Sequence, residues 1–428
     1  MKKVLIITYY WPPSGGAGVQ RWLKLSKYLC EMGVEVHVLS VDEKYASYVQ
    51  LDPSLTKDIH PDVHIHKTKS IEPINLYTRL SSKNKEQSVG FSNDGKKKIK
   101  TKVLNGIRSN FFIPDPRKGW KRFAVKKALE LIRDEKINTV ITTSPPHSVQ
   151  LIGLKLKKKI KFNWIVDLRD PWTDIYYYDQ IGHTSLSKKI DRKIEQKVIH
   201  KSDHITTVSD GLKTIFLTKS SENLDSKISI IPNGFDPADF LNEENDQKSE
   251  DFTICYTGAI SQFYNPAIFF DALHELRLNN PETIIKFQLV GTISKQIVER
   301  IEKLEIPYEH IKTVPHEEIH RYQRQADLLL LVIPDVKLDK GIVTGKIFEY
   351  LASKKPVIAI GPTRGDAALI LEECNAGKTF DRKDVTPIYA YLQEALKNYQ
   401  NNVPNEINED ALQKYSRKYQ AAQFEQML

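Results

Sequence analysis

Short β-branched and aliphatic runs alternate along the chain with stretches whose apolar residues recur at helical spacing. Val4 to Thr8 has the continuous apolar character of a buried strand, and Val34 to Ser40 repeats it. Between them, Val19 to Glu31 places Trp22, Leu23, Leu25, Ser26, Leu29 and Cys30 on one side of a helix. Asn138 to Thr143, Phe162 to Asp167, His204 to Val208 and Ile228 to Ile231 continue the strand series, with helices over Lys121 to Arg133 and Leu186 to Lys201. Strands that alternate with helices in this way are joined by crossovers, which predicts a parallel, doubly wound α/β sheet.

From Asp236 to Asp251 the chain is acidic, polar and aperiodic, and that stretch is the expected linker. The alternation then restarts. Strands are expected at Phe252 to Thr257, Ile284 to Val290, His310 to Thr313, Asp327 to Ile333 and Pro356 to Ile360, and helices at Pro266 to Leu278, Lys295 to Leu304, Pro315 to Gln325 and Lys346 to Ser353. The predicted organisation is a domain over 1–235, a linker over 236–251 and a second domain over 252–408. A closing helix within 409–428, around Asp410 to Gln426, is a candidate to cross back to the first domain. Residues 81–102, rich in Lys, Asn and Ser, are expected to form a mobile insertion. A length of 428 residues suits two cores better than one.

Lys and Arg number 63 against 54 Asp and Glu, a net charge of +9 that suits phosphates, nucleotides or anionic lipid without demanding nucleic acid. Cys30, Cys255 and Cys374 lie far apart, with no CxxC spacing and no disulfide framework, which points to a reducing cytoplasm. The apolar opening is short and lacks a small-residue cleavage site, so it reads as a strand rather than a signal peptide. The longest other apolar run, Leu328 to Ile333, falls far below the roughly 20 residues needed to span a bilayer.

Two loops carry candidate chemistry. After the first strand, Trp11 to Arg21 holds three glycines, and the helix beginning near Gly18 offers free N–H donors to an anion. The same loop also reads as a plain strand-to-helix turn. Arg21 stands where the last glycine of a dinucleotide fingerprint belongs, while Asp42 sits where a ribose-binding acid could, so a nicotinamide oxidoreductase stays open. The second loop leads into Lys346 and Glu349, an i, i+3 pair on the first turn of a helix. Lysine there opposes the helix dipole, a cost that a bound diphosphate would relieve, and Glu349 can accept from both ribose hydroxyls. The bland alternative is an exposed ion pair worth a few tenths of a kcal/mol.

PPSGGAG at 12–18, SPPHS at 144–148, DLRDPW at 167–172, TVSDGL at 207–212, IPNGFD at 231–236, YTGAI at 256–260, LVG at 289–291 and GKIFEYLASKKPVIAIG at 345–361 follow one another in a characteristic order. In that order and spacing the chain resembles a family 4 glycosyltransferase of the retaining GT-B type over nearly its whole length. Within the family it looks closest to bacterial enzymes of surface-polysaccharide assembly. The resemblance implies two Rossmann-like domains facing across a cleft, a nucleotide-diphosphate sugar held mainly by the second and a glycan or polyprenyl-linked acceptor by the first. It assigns donor binding to Gly15, Gly16, Gly258, Thr344, Gly345, Lys346 and Glu349, and needs neither metal nor cofactor. Gly341 replaces a sugar-contacting Glu of many members, and Ala259 and Tyr264 replace the usual Arg and Lys diphosphate clamp, so Lys346 must supply more of the charge.

His147 is a candidate to touch donor sugar or acceptor, against the alternative of a partnerless helix-start histidine. Asp170 could orient or deprotonate an acceptor hydroxyl, whereas Asp167 fits better in a buried network with Arg169. Both are assigned the catalytic side of the reaction, His147 with Asp170. No HExxH motif, paired-aspartate loop or Cys/His cluster stands out, and Asp335 and Asp339 are expected to form a loop wall. Lys155, Lys157, Lys158, Lys159 and Lys161 make an anionic membrane surface a candidate partner, which would place the protein peripherally at the inner face of the membrane; the alternative is a solvated helix face. A nucleotide-sugar epimerase or hydrolase, and a non-catalytic nucleotide- or glycan-binding protein, are the competing functional readings.

Overall fold

A computed structural model describes residues 1–48, 50–72, 110–240, 251–261, 263–312 and 314–428. The insertion expected over 81–102 and most of the expected linker lie outside the described residues. The chain divides into two compact units, Met1–Pro232 with Arg417–Leu428, and Asn233–Ser416.

The first unit contains β1 (Lys3–Ile7), β2 (Glu35–Val41), β3 (His64–Thr68), β4 (Thr139–Ser144), β5 (Asn163–Leu168), β6 (His204–Thr207) and β7 (Ile228–Ile230). Its helices among the described residues are α1 (Ala17–Glu31), α2 (Lys121–Asp134), α3 (Gln150–Lys157), α4 (Ser185–Lys201) and α5 (Asp210–Leu217). The strands pair in parallel in the order β3-β2-β1-β4-β5-β6-β7. Successive residues of β1 serve opposite faces: Leu5 and Ile7 enter one apolar cluster, Val4 and Ile6 another. That is why the strand is apolar at each position from Val4 to Ile7 rather than at alternate ones.

The second unit repeats the plan. Its strands are β8 (Phe252–Thr257), β9 (Ile285–Val290), β10 (Tyr308–Ile311), β11 (Leu328–Val332), β12 (Val357–Ile360) and β13 (Gly377–Phe380), in the parallel order β10-β9-β8-β11-β12-β13. Its helices are α6 (Ala267–Asn279), α7 (Lys295–Lys303), α8 (His316–Gln325), α9 (Lys346–Ala352), α10 (Asp366–Glu373), α11 (Thr386–Gln400) and α12 (Glu409–Gln413). Leu328, Leu330 and Val332 of β11 face one cluster, Leu329 and Leu331 the other. The final helix α13 (Arg417–Glu425) packs on the first unit, with the Phe424 ring centred 4.8 Å from that of Trp22 of α1 and tilted against it. The single helix expected around Asp410 to Gln426 is thus two, α12 and α13.

Strand order reverses beside β1 in the first sheet and beside β8 in the second. Ligands of open α/β sheets bind outside the carboxyl ends of the strands at such a reversal. The loops that follow β1 and β4 flank one reversal, and those that follow β8 and β11 flank the other.

Candidate functional site

In the second unit, β8 ends at Thr257 and the chain turns at Gly258, with φ at 99°. A Cβ there would sit 2.6 Å from Cε of Lys346, so only glycine lets the lysine stem cross this turn. The Lys346 ammonium donates to the Tyr256 hydroxyl, which in turn donates to the Ala259 carbonyl at 2.8 Å. It lies 4.2 Å from the centre of the Tyr256 ring and 5.6 Å from that of Tyr264, contacts that favour the cation. Burial nevertheless dominates. It pulls the Lys346 pKa down to about 7, with Glu349 opposing the shift.

The ammonium therefore turns to Tyr256 rather than forming the exposed i, i+3 pair with Glu349. Helix α9 has seven residues, so its dipole is small, and the cost of placing lysine at its start comes from lost hydration instead. Tyr350 of the same helix accepts from the Thr257 amide at 3.0 Å, locking α9 to the end of β8.

Glu349 is anchored from α8. Gln323, fully buried, donates through Nε2 to Glu349 Oε2 at 2.9 Å and lies 3.1 Å from Thr257 Oγ1. A carboxylate only accepts, so it fixes which end of the amide faces it. Gln323 Oε1 is then left buried with no partner among the described residues, as is Thr344 Oγ1. Buried polar atoms without partners are rare and mark places where a ligand can complete the hydrogen bonding. Gly345 is exposed and has open space around it. The loop after β11 is held by Arg382, which pairs with Asp339 at 3.0 Å and Asp335 at 3.6 Å and donates to the Ile333 and Pro334 carbonyls. These aspartates already face a guanidinium.

In the first unit, the glycine loop is braced from the side. The Gly15 amide donates to the Gln50 carbonyl at 3.0 Å, and a Cβ on Gly15 would lie 3.0 Å from that of Asp52. Its N–H is therefore spent within the protein. Gly16, at φ 90°, begins α1 with no side-chain cap. Arg21 is fully buried, with Nε 3.2 Å and Nη2 3.1 Å from the Asp167 carboxylate and Nη1 2.6 Å from the Pro232 carbonyl. An arginine pillar occupies the place where a dinucleotide fold needs a close-packed glycine, and the Asp42 carboxylate accepts from the Lys44 amide at 3.0 Å. These contacts argue against the nicotinamide reading.

Asp167 also accepts from Trp22 Nε1 at 2.8 Å, Thr143 Oγ1 at 2.8 Å and Thr206 Oγ1 at 2.9 Å. Burial alone would raise its pKa, but Arg21, Arg169 and these donors together hold it low. Arg169 donates to the Ser144 and Gly18 carbonyls at 3.1 Å each, tying the loops after β1, β4 and β5. Asp170, next in sequence, makes no hydrogen bond through its carboxylate among the described residues. Burial raises its pKa against the pull of Arg169.

His147 opens a short turn after β4, and its ring stacks on Trp172 at 4.5 Å with an 11° interplanar angle. Its Nδ1 is buried without a partner among the described residues, and burial, with Lys219 and Arg169 nearby, lowers its pKa to about 3. It is a neutral hydrogen-bonding group at physiological pH. Trp172 has φ at 35°, a strained value for a non-glycine residue, and is held by its Nε1 bond to Asp191 at 2.9 Å. The turn is capped by Asp115, which accepts from the Ser148 amide at 2.7 Å and hydroxyl at 2.8 Å.

Of the lysine run, Lys155, Lys158, Lys159 and Lys161 are exposed, while Lys157 donates to the Phe162 carbonyl at 2.7 Å. Among the described residues, no helix is long and apolar enough to cross a membrane. Gln323, Tyr256 and Arg382 escaped the sequence reading. A buried glutamine on a polar helix and a tyrosine ending a strand carry no local signal of such a role.

A family model described as Glycosyltransferase Family 4 matches residues 15–239, more than half of the chain. No curated protein matches the chain. Among solved structures, a glycosyltransferase from Rickettsia africae ESF-5 is 15% identical with a TM-score of 0.62, over 100% of this chain and 97% of the other. Sucrose-phosphate synthase from Thermosynechococcus elongatus is 12% identical with a TM-score of 0.59, over 100% and 98%. A mutant of S. aureus TarM in complex with fondaparinux, alpha-GlcNAc-glycerol and UDP is 12% identical with a TM-score of 0.63, over 100% and 99%. At such identities the likeness speaks for the fold, two Rossmann-like domains of the GT-B type.

Proposed function

The chain belongs to glycosyltransferase family 4, and from that premise we propose that it moves a hexose or N-acetylhexosamine from a nucleotide-diphosphate sugar to a glycan or lipid-linked saccharide. The transfer retains anomeric configuration, uses no metal and serves surface-polysaccharide assembly at the cytoplasmic face of the membrane. One observation carries the donor half of this reading. A dehydrated ammonium, Lys346, lies across the Gly258 turn on the same short helix as a carboxylate, Glu349, that Gln323 fixes in place.

On this reading Lys346 neutralises the departing diphosphate, and Glu349 accepts from the ribose hydroxyls. Thr344 Oγ1 and Gln323 Oε1 have hydrogen bonds still to make, and donor groups complete them. With Ala259 and Tyr264 in place of a cationic clamp, Lys346 is the cation that the turn after β8 holds. In the first unit, Asp170 has the raised basicity to accept a proton from an acceptor hydroxyl, and neutral His147 hydrogen-bonds sugar rather than phosphate. Acceptor attack comes from the face that the diphosphate leaves. The solved TarM complex holds UDP, and a leaving group of that chemistry is what this reading gives to Lys346.

The test is nucleotide release from a panel of nucleotide-sugars, with and without acceptor extracts. Acceptor-dependent release is expected, and Lys346→Ala and Glu349→Ala should each lower donor affinity or turnover by at least about tenfold. Wild-type kinetics in both variants would refute the donor assignment. Isomerised sugar would indicate an epimerase. Binding without release would favour a non-catalytic binder, a reading that Gly341 and Ala259 otherwise support.

A further inference from the structure

Strands β2 and β3 bring together four side chains at the edge of the first sheet, at the amino ends of the strands. Parallel pairing sets His37 opposite His64 and Leu39 opposite His66. Alternate residues of a strand share a face, so Glu35 and His37 of β2 stand beside His64 and His66 of β3. The His37 ring lies 4.8 Å from that of His64 and 5.4 Å from that of His66, stacked on both. Glu35 Oε1 is 3.0 Å from His37 Nε2. Among the described residues, Glu35, His37 and His64 form a group in which one ligand atom from each lies within 4.8 Å of the others.

We propose that Glu35, His37 and His64 bind a divalent transition-metal ion of the zinc class, which clips the edge strand β3 to β2. The donor set decides the class: two imidazoles and a carboxylate suit zinc and its first-row neighbours, whereas magnesium and calcium take oxygen donors. Glu35 receives Lys3 Nζ on Oε1 at 2.7 Å, which leaves Oε2 to ligate, and the ion takes the place of the contact between His37 Nε2 and Oε1. His37 is buried and its Nδ1 lies 3.2 Å from His66 Nε2. With the ion on Nε2, the Nδ1–H donates to His66. An outer partner of this kind orients ligating histidines generally. His64 is exposed, so its ring is free to swing onto the ion and solvent can fill a further position.

The location sets the role. Loops with candidate donor or acceptor chemistry follow the carboxyl ends of the strands, while Glu35 and His64 are the first residues of β2 and β3. An ion there takes no part in transfer. It ties down a strand that, among the described residues, pairs on one side only, and contributes stability by binding the folded chain alone.

The experiment uses the full chain, stripped with EDTA and dialysed, then titrated with zinc chloride against a chromophoric chelator and melted with and without zinc. Wild type should take up the ion saturably and melt at a higher temperature with it. His64→Ala, at an exposed position, should bind at least about tenfold more weakly and lose most of the melting shift, as removal of a ligand demands. Glu35→Gln should do the same, while His200→Ala, at a surface histidine on α4 paired with Glu222, should behave as wild type. Circular dichroism of each variant verifies the fold. No saturable uptake by wild type, or an unchanged affinity in folded His64→Ala, would overturn the proposal.

Discussion

Nucleotide binding should draw a proton out of solution, and the reason lies in one side chain. Burial holds Lys346 at a pKa of about 7, against roughly 10.4 for a hydrated lysine. The gap corresponds to a net cost of about 5 kcal/mol for charging the buried ammonium in the free protein. The unfolded chain binds more protons between those two values, so this residue makes folding stability rise with pH from about 7 to about 10.4. A diphosphate seated on the ammonium reverses the situation, because an adjacent anion favours the charged form and lifts the pKa towards its hydrated value.

The magnitude follows from the titration. At pH 8 a group of pKa about 7 is roughly 10% protonated when free and almost fully protonated when paired, an uptake of about 0.9 proton per nucleotide. At pH 7 the uptake falls to about 0.5, and near pH 6 to about 0.1. Between pH 6.5 and pH 8.5 affinity should weaken by roughly 25-fold, since only the charged form binds well. The second phosphate ionisation, near pH 6, is complete at pH 8 and does not confuse the measurement. Calorimetric titration with UDP, GDP and ADP at pH 8, in two buffers of different ionisation enthalpy, counts the proton directly. Lys346→Met, which keeps the stem across Gly258 and discards the charge, should abolish both the uptake and the pH dependence. Heats that do not depend on buffer in wild type, or an uptake that survives in Lys346→Met, would refute the reasoning.

Gln323→Leu removes the donor that fixes Glu349 and should raise the Michaelis constant for the donor by about three- to tenfold, with a smaller change in turnover, in steady-state kinetics. Asp167→Asn leaves Arg21 and Arg169 buried against a neutral amide and should cost about 3 to 5 kcal/mol in denaturant unfolding. His147, neutral in the folded chain, makes stability fall as pH drops below 6.5, by up to about 2 kcal/mol at pH 5, and His147→Gln should flatten that limb in melts across the range. Replacing Lys155, Lys158, Lys159 and Lys161 with Gln together should abolish sedimentation with phosphatidylserine vesicles at low salt if this face meets anionic lipid; equal sedimentation of the variant would reduce the run to a solvated surface.

How legible these features were depends on how far each one reaches along the chain. β1, β8 and β11 stand out because helices cover both faces of each sheet and apolar side chains occur on both faces of those strands. The two unanticipated strands, HIHKT of β3 and GKTF of β13, are both sheet edges, and β10, a third edge, begins two residues earlier than expected. An edge strand needs no continuous apolar run and is safer without one, so it lacks the periodic signal. Sites obey the same logic. Lys346 and Glu349 lie one turn apart and could be noticed, yet the group that receives the ammonium, Tyr256, is 90 residues away, and Gln323 approaches from another helix. What joins them is strand order: β8 pairs with β11, so the turn after one meets the loop after the other. His37 and His64 meet for the same reason, as register partners on parallel strands. Metal-ligand spacing rules describe ligands on one hairpin or helix, and they pass over a pair brought together by a crossover connection. If strand pairing gathers both groups, disturbing the pairing should separate them. Ile65→Pro, which restrains the backbone of the β3 edge between the two histidines, should weaken zinc uptake while leaving nucleotide binding in the second unit at its wild-type affinity.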